Sequence, residues 1–297
     1  MSHAGTLDAE HPHGPLKPPG DTTGLFGVFK RRYLLGLLVR KELRVRYQAS
    51  VLGLAWSYIK PLIRFLTYVL VVGYVIGLKD LPHYPFHVFT GMMAVTFFTE
   101  TLNAGTRSVV KNKSLVRKMN VPREMFPVAS LLVTGYHMIP QYIVLVTGCI
   151  IVGWSLDLTG VVAGLLSLSI VITFSLAVGL AFSALNTLFR DFQNFAETIS
   201  YLVMWSTPMI YPFELIQERT NGNWIEQIYL ANPVAEAVIL GQRCFWSTTI
   251  DDDSYSPVFP DHLLLRGVVT LAVCLVLVWL AQRLFSRLES KFAEQML

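Results

Sequence analysis

At 297 residues, with 53% hydrophobic and only 15% charged residues and a mean hydropathy of +0.49, the chain is too apolar for a water-soluble domain. Its 24 Lys and Arg against 20 Asp and Glu leave a net charge of +4, and no nucleic-acid partner is expected. Three cysteines, Cys149 and Cys274 inside apolar runs and Cys244 in a loop, form neither a disulfide framework nor a zinc pattern.

Residues 1–24 hold no apolar core of the signal-peptide kind; they carry Pro12, Pro15, Pro18 and Pro19 and the scattered His3, His11 and His13. They read as a disordered cytosolic tail without a metal site. From residue 25 on, Phe26, Phe29, Tyr33 and Leu37 recur at helical spacing beside Lys30, Arg31 and Arg32. That pattern suits an N-terminal helix lying in the membrane interface, although Gly36 and Arg40 interrupt its stripe. Juxtamembrane Arg31, Arg32, Arg40 and Arg44 attract anionic lipid headgroups, at about 1 kcal/mol each.

Apolar runs of roughly 20 residues, enough to cross about 30 Å of hydrocarbon, fall near 58–78, 86–108, 127–152, 160–188, 194–211 and 262–284. The fold expected is an all-α polytopic membrane protein with six transmembrane helices. The fifth run is the shortest and contains Glu197 and Pro208. Between the fifth and sixth runs, Trp224–Leu230 and Val234–Leu240 are short amphipathic pieces split by Asn232-Pro233. A helix ends and restarts at such a proline; pieces this short read either as external re-entrant helices or as a loop on the outer surface.

Sidedness follows from the Lys and Arg count. An inside N-terminus gives the cytoplasm eighteen: Lys17, seven from Lys30 to Arg46, six from Arg107 to Arg123, Arg190, and three from Arg283 onward. The outside keeps four, Lys79, Arg219, Arg243 and Arg266, with Lys60 and Arg64 at or inside the first span. Both termini are therefore expected in the cytoplasm.

Charges inside the apolar runs are costly and normally face protein or a water cavity. Counting 1.5 Å per residue, Arg64, Glu100 and Glu197 fall at comparable depth, roughly 6 to 11 Å from the cytoplasmic boundary. They form either an ionic layer at an entrance or a set that snorkels to the headgroups. Aromatic faces suit sugar, and Tyr58, Phe65 and Tyr68 share an arc of about 80°. Tyr201 and Trp205 pair at i, i+4, and the two stripes are candidates for a conduit lining or for packing and lipid contact.

Several motifs carry a family resemblance. Arg40-Lys41-Glu42-Leu43-Arg44-Val45-Arg46-Tyr47 leads into Ser50-Val51-Leu52-Gly53-Leu54-Ala55-Trp56 and Pro61-Leu62; Leu115-Val116-Arg117-Lys118-Met119-Asn120-Val121-Pro122-Arg123 precedes Pro127. Phe189-Arg190-Asp191, Ser206-Thr207-Pro208 with Tyr211-Pro212, Asn232-Pro233 and Phe292-Ala293-Glu294 follow in order. Beyond the tail, the chain resembles the membrane subunit of ABC exporters for bacterial surface polysaccharides, those of O-antigens, teichoic acids and galactan. The Pro-rich tail departs from that pattern and suggests an actinobacterial galactan exporter.

The resemblance implies a multi-pass permease of the bacterial inner membrane, a homodimer docked on two cytosolic ATPase subunits, exporting a polyprenyl-pyrophosphate-linked polysaccharide. ATP and Mg would sit on the partner. No Gly-Lys dipeptide occurs in this chain, so it lacks the phosphate-binding loop that holds ATP and is not expected to be an enzyme. A coupling helix is expected near 113–122, where Leu115 and Met119 share a face for the partner's cleft. Lys113, Arg117, Lys118 and Asn120 accompany them, and Arg190 with Asp191 forms a second contact. Arg31, Arg32, Arg40 and Arg44 then either collect the substrate's pyrophosphate or anchor the chain to lipid. Alternatives are an ABC exporter of small lipids or drugs, a secondary transporter, and an intramembrane glycosyltransferase using Asp251, Asp252 and Asp253 as a metal site.

Overall fold

A computed structural model describes residues 24–47, 55–78, 81–118, 121–220, 223–250 and 255–295. Most of the tail expected at 1–24, Met119, Asn120 and Asp251 to Asp253 lie outside the described residues. The chain order is α1 (Gly24–Lys30), α2 (Arg32–Tyr47), α3 (Trp56–Thr67) continued by a π segment (Tyr68–Val75), α4 (Tyr84–Lys111), α5 (Lys113–Lys118) and α6 (Met125–Val152). Then come α7 (Leu158–Leu188), α8 (Phe192–Trp205), α9 (Glu214–Thr220), α10 (Trp224–Leu230), α11 (Pro233–Phe245) and α12 (Leu263–Gln295). Among the described residues there is no strand.

Four described segments are long and apolar enough to cross a membrane: Tyr58–Val75, α6, α7 and Leu263–Glu289 of α12. The second expected span, α4, has the length, 28 residues or about 42 Å, but not the apolar composition. Its polar residues are turned inward: Thr90, Thr96, Thr101, Thr106 and Ser108 are all buried, because α4 packs among α6, α7, α8 and α11. The fifth run stops being helical at Trp205, and α8 alone spans only about 21 Å. Pro208 disfavours helical backbone at Thr207, and Ser206–Tyr211 forms turns instead. The sixth run extends past its expected end at 284 to Gln295. Phe285 and Phe292 in this extension are fully buried at the base of the bundle, and the Arg123 guanidinium sits 5.6 Å from the Phe292 ring centroid.

Asn232-Pro233 breaks the chain as expected. The Asn232 side chain accepts from the Val234 amide at 3.0 Å, capping α11 with proline in its first turn, where no amide hydrogen is missed. Every residue from Val234 to Gln242 is buried, so α11 is a core helix rather than a surface loop. α10 ends in the break, with Trp224, Ile225 and Ile228 exposed.

Close approach of backbones holds the centre together. A Cβ on Gly105 of α4 would meet the Gly179 Cα of α7 at 3.3 Å, and one on Gly91 would meet the Met209 Cα at 2.8 Å. Small residues bring helices into dense contact where lipid offers no hydrophobic drive. Gly91→Ala forces backbone to move, and we expect it to destabilise the detergent-solubilised protein by about 1 to 3 kcal/mol, read as a lower thermal midpoint. Gly135→Ala, whose Cβ would find only the Phe97 ring at 3.9 Å, should leave the midpoint unchanged or raised.

Candidate functional site

The end of the bundle that carries α5 also carries the α7–α8 turn, since Asn186 Nδ2 near the end of α7 donates to Thr106 O near the end of α4 at 3.0 Å. Above this end opens a cleft of about 870 Å³ between α2, α3, α4, α6 and α8. Along α4, Glu100, Asn103, Arg107 and Lys111 recur at three- and four-residue steps, so one helical face supplies its polar wall. Arg64 and Tyr68 enter from the α3 side, Glu42 from α2, and Glu197 and Tyr201 from α8.

The three residues expected at a common depth, Arg64, Glu100 and Glu197, thus line one cleft. The ion pair the structure forms there is Arg107 with Glu197, whose side chains remain 47% and 45% exposed. Nearer α5, on the α2 side, Lys111 Nζ donates to Glu42 Oε2 at 2.5 Å and Lys41 Nζ donates to Asn112 Oδ1 at 2.8 Å. Asn103 Nδ2 donates to Ser200 Oγ at 2.8 Å, tying α4 to α8, while its Oδ1 has no hydrogen-bond partner among the described residues. Half-exposed pairs of this kind are worth little to stability and exchange partners readily.

The aromatic candidates divide. Tyr68 and Tyr201 face the cleft, whereas Tyr58 and Phe65 line a second, apolar groove of about 560 Å³ between α3, α4 and α6. Trp205 lines neither and stands exposed on α8. Arg32, Arg40 and Arg44 are exposed on α2, and Arg31 on the turn before it. Phe26, Phe29, Tyr33 and Leu37 are exposed too, while Val28, Leu35 and Leu38 pack on the bundle, so α1 and α2 present an apolar stripe outward.

Of the expected coupling residues, Lys113 and Leu115 lie on α5 with the backbone of Arg117 and Lys118. Leu115 packs partly against the base cluster that contains Val109 and Phe126, so only part of it remains for a partner. Arg190 and Asp191 are exposed in the α7–α8 turn. Among the described residues no group of three or more His, Cys, Asp or Glu is placed to hold a metal ion. Arg107, Lys111, Glu42 and Asn103 were not among the expected site residues; the spacing that Asn103, Arg107 and Lys111 share with Glu100 on α4 is the signal that finds those three, whereas Glu42 on α2 is brought in by packing.

Comparison with known proteins places these elements in context. A family model described as ABC-2 type transporter matches residues 33–240, from α2 through most of α11, and so takes in every helix around the cleft. The chain is 28% identical over 269 residues to the O-antigen export system permease protein of Myxococcus xanthus, covering 90% of this chain and 96% of that one. A Klebsiella pneumoniae protein of the same description is 27% identical over 266 residues, covering 88% and 95%. The polysialic acid transport protein of Escherichia coli is 22% identical over 242 residues, covering 81% and 90%.

A double-mutant cycle on Arg107→Ala and Glu197→Ala in the solubilised protein should return a coupling of only about 0.2 to 1 kcal/mol. A coupling of several kcal/mol would contradict the reading of this pair as exchangeable.

Proposed function

Since this chain belongs to the ABC-2 type transporter membrane family, we propose that it is the permease subunit of an ATP-driven exporter that moves a lipid-linked polysaccharide, of O-antigen, teichoic acid or galactan type, across the bacterial cytoplasmic membrane. The observation that carries this reading is the match through residues 33–240 together with relatives described as O-antigen export permeases over nearly their whole length. In this reading the chain crosses the membrane six times, α4 and the α8 region supplying the two crossings beyond the four apolar segments. α10 and α11 are external re-entrant helices, too short to cross. The lysine and arginine distribution puts both termini, α5 and the cleft mouth on the cytoplasmic side.

The working assembly is a homodimer of this chain with two cytosolic ATPase subunits, ATP and Mg bound by the latter. α5 and the exposed Arg190-Asp191 turn emerge at the same end of the bundle and offer the partner two contacts, with Met119 and Asn120 extending the first. Arg31, Arg32, Arg40 and Arg44 gather the pyrophosphate of the carrier lipid at the membrane surface. The cleft is then the entrance: Arg64 and Arg107 attract the anionic head, Glu100 and Glu197 hold those cations meanwhile, and Tyr68 and Tyr201 offer ring faces to sugar. Nothing in this scheme makes the chain an enzyme; it converts the partner's movement into a change at the cleft.

Affinity purification of the chain from its native membrane should bring down a stoichiometric soluble subunit with a phosphate-binding loop. ATP hydrolysis by that complex in vesicles should rise with lipid-linked glycan and not with hydrophobic drugs. Arg190→Glu should lower the stimulated rate by about tenfold, about 1.4 kcal/mol of coupling, at unchanged membrane abundance. Recovery of the chain with no ATPase, or stimulation by drug alone, overturns the assignment.

A further inference from the structure

Glu236 is fully buried on α11, and neither of its side-chain oxygens has a hydrogen-bond partner among the described residues. Packing places it there. Leu240, one turn further along the same face, comes within 2.9 Å of where a Cβ on Gly267 of α12 would stand. The adjoining face carries Ile239, packed with Phe213 and Leu230. Glu236 thus faces the start of α12 from inside the core, and Ala235, Ala237 and Val238 beside it are as deeply buried.

A carboxyl in such a place is harder to ionise than one in water. Burial pushes the Glu236 carboxyl up to about 7, with the Arg266 cation pulling the other way. Arg266 adjoins Gly267 on α12, and its guanidinium is engaged elsewhere. Nε donates to the Asp261 main-chain oxygen at 3.0 Å, and Nη2 donates to Gln227 Oε1 at 3.1 Å. The second bond crosses from α12 to α10, which exposes Trp224, Ile225 and Ile228. Other charges on the surrounding elements are committed or turned to solvent. Arg243 of α11 pairs with Asp157, Glu226 of α10 accepts from Thr220 Oγ1 at 3.2 Å, and Asp261 and His262 are exposed. α4 and α7 meet α11 at Gly241 through the neutral side chains of Thr90 and Ser167.

We propose that Glu236 is a proton-binding group and Arg266 the latch it controls, tied to α10 while Glu236 is neutral and drawn inward when Glu236 ionises. A neutral carboxyl needs no cation, so Arg266 is free to hold Gln227. Once the proton leaves, the core contains an uncompensated carboxylate, and Arg266 is the cation that acts on it. A charge-assisted pair with that carboxylate outweighs the bond to the neutral Gln227 amide, and α10 is released at its middle. The stability that the neutral acid supplies is complete below the ordinary carboxylate range and is lost as pH rises through about 7. The switch does not depend on what the chain exports.

The test uses the full chain in nanodiscs. A hydrophobic carbodiimide, which modifies neutral buried carboxyls, should label Glu236 at pH 6, and labelling located by mass spectrometry should fall by about tenfold or more at pH 8.5. Backbone hydrogen exchange within 224–230, compared between proteins at the same pH, reads the latch. Glu236→Gln keeps the shape of the side chain, and it keeps Asp261 and His262, but it cannot ionise. Its exchange should match the parent at pH 6 and be about tenfold slower than the parent at pH 8.5. Arg266→Gln, on the partly exposed first turn of α12, removes the latch and should exchange about tenfold faster than the parent at pH 6. Should Glu236→Gln fail to fold, the parent's labelling and the Arg266→Gln comparison still decide. Absence of labelling at pH 6, equal exchange in the parent and Glu236→Gln at pH 8.5, or unchanged protection of α10 in Arg266→Gln overturns the proposal.

Discussion

A helix that carries Glu100, Asn103, Arg107 and Lys111 on one face cannot turn that face to hydrocarbon. The rest of the architecture follows from where it turns instead. α4 occupies the centre, its threonines and serines buried against α6, α7 and α11. Gly105 and Gly179 let α4 and α7 approach within backbone contact. The charged face of the same helix meets a gap rather than a neighbour, and that gap is the cleft. Burial on one face and hydration on the other are two solutions, on one helix, to the same cost of desolvating polar groups.

The base of the bundle links this cleft to α5. α5 follows α4 after Asn112, whose Nδ2 donates to Ser108 O at 2.9 Å and whose Oδ1 accepts from Lys41 of α2. The interfacial α2, the end of α4 and the start of α5 are thereby joined through one asparagine. Leu115 packs on the base cluster that Phe126 of α6 and Phe285 of α12 share. α5 is thus joined to helices that wall the cleft through packed side chains.

Much of this was legible in the sequence, for identifiable reasons. Depth arithmetic from the helical rise put Arg64, Glu100 and Glu197 in one layer, and all three line the cleft. Asn232-Pro233 announced its own helix break. Hydropathy failed where helicity and apolarity part company. α12 runs on to Gln295 because Phe285, Leu288 and Phe292 recur at helical spacing, although the charged residues between them lower the hydropathy. α8 stops at Trp205 although the apolar run continues. Arg107 and Lys111 read, in sequence, as loop charges that set sidedness, and only packing makes them cleft walls. The arc shared by Tyr58, Phe65 and Tyr68 assumed a uniform 100° step, but a π segment begins at Tyr68. Tyr68 turns with Arg64 into the cleft while Phe65 stays with the groove.

The account depends on the cleft opening to the cytoplasm at the end that carries α5. Ser200→Cys places a thiol on the cleft wall of α8, against a background in which Cys149, Cys244 and Cys274 are buried. Labelling by a membrane-impermeant maleimide in inside-out and right-side-out vesicles measures the side directly. Modification only in inside-out vesicles is the predicted result; modification only in right-side-out vesicles would contradict both the orientation and the entrance.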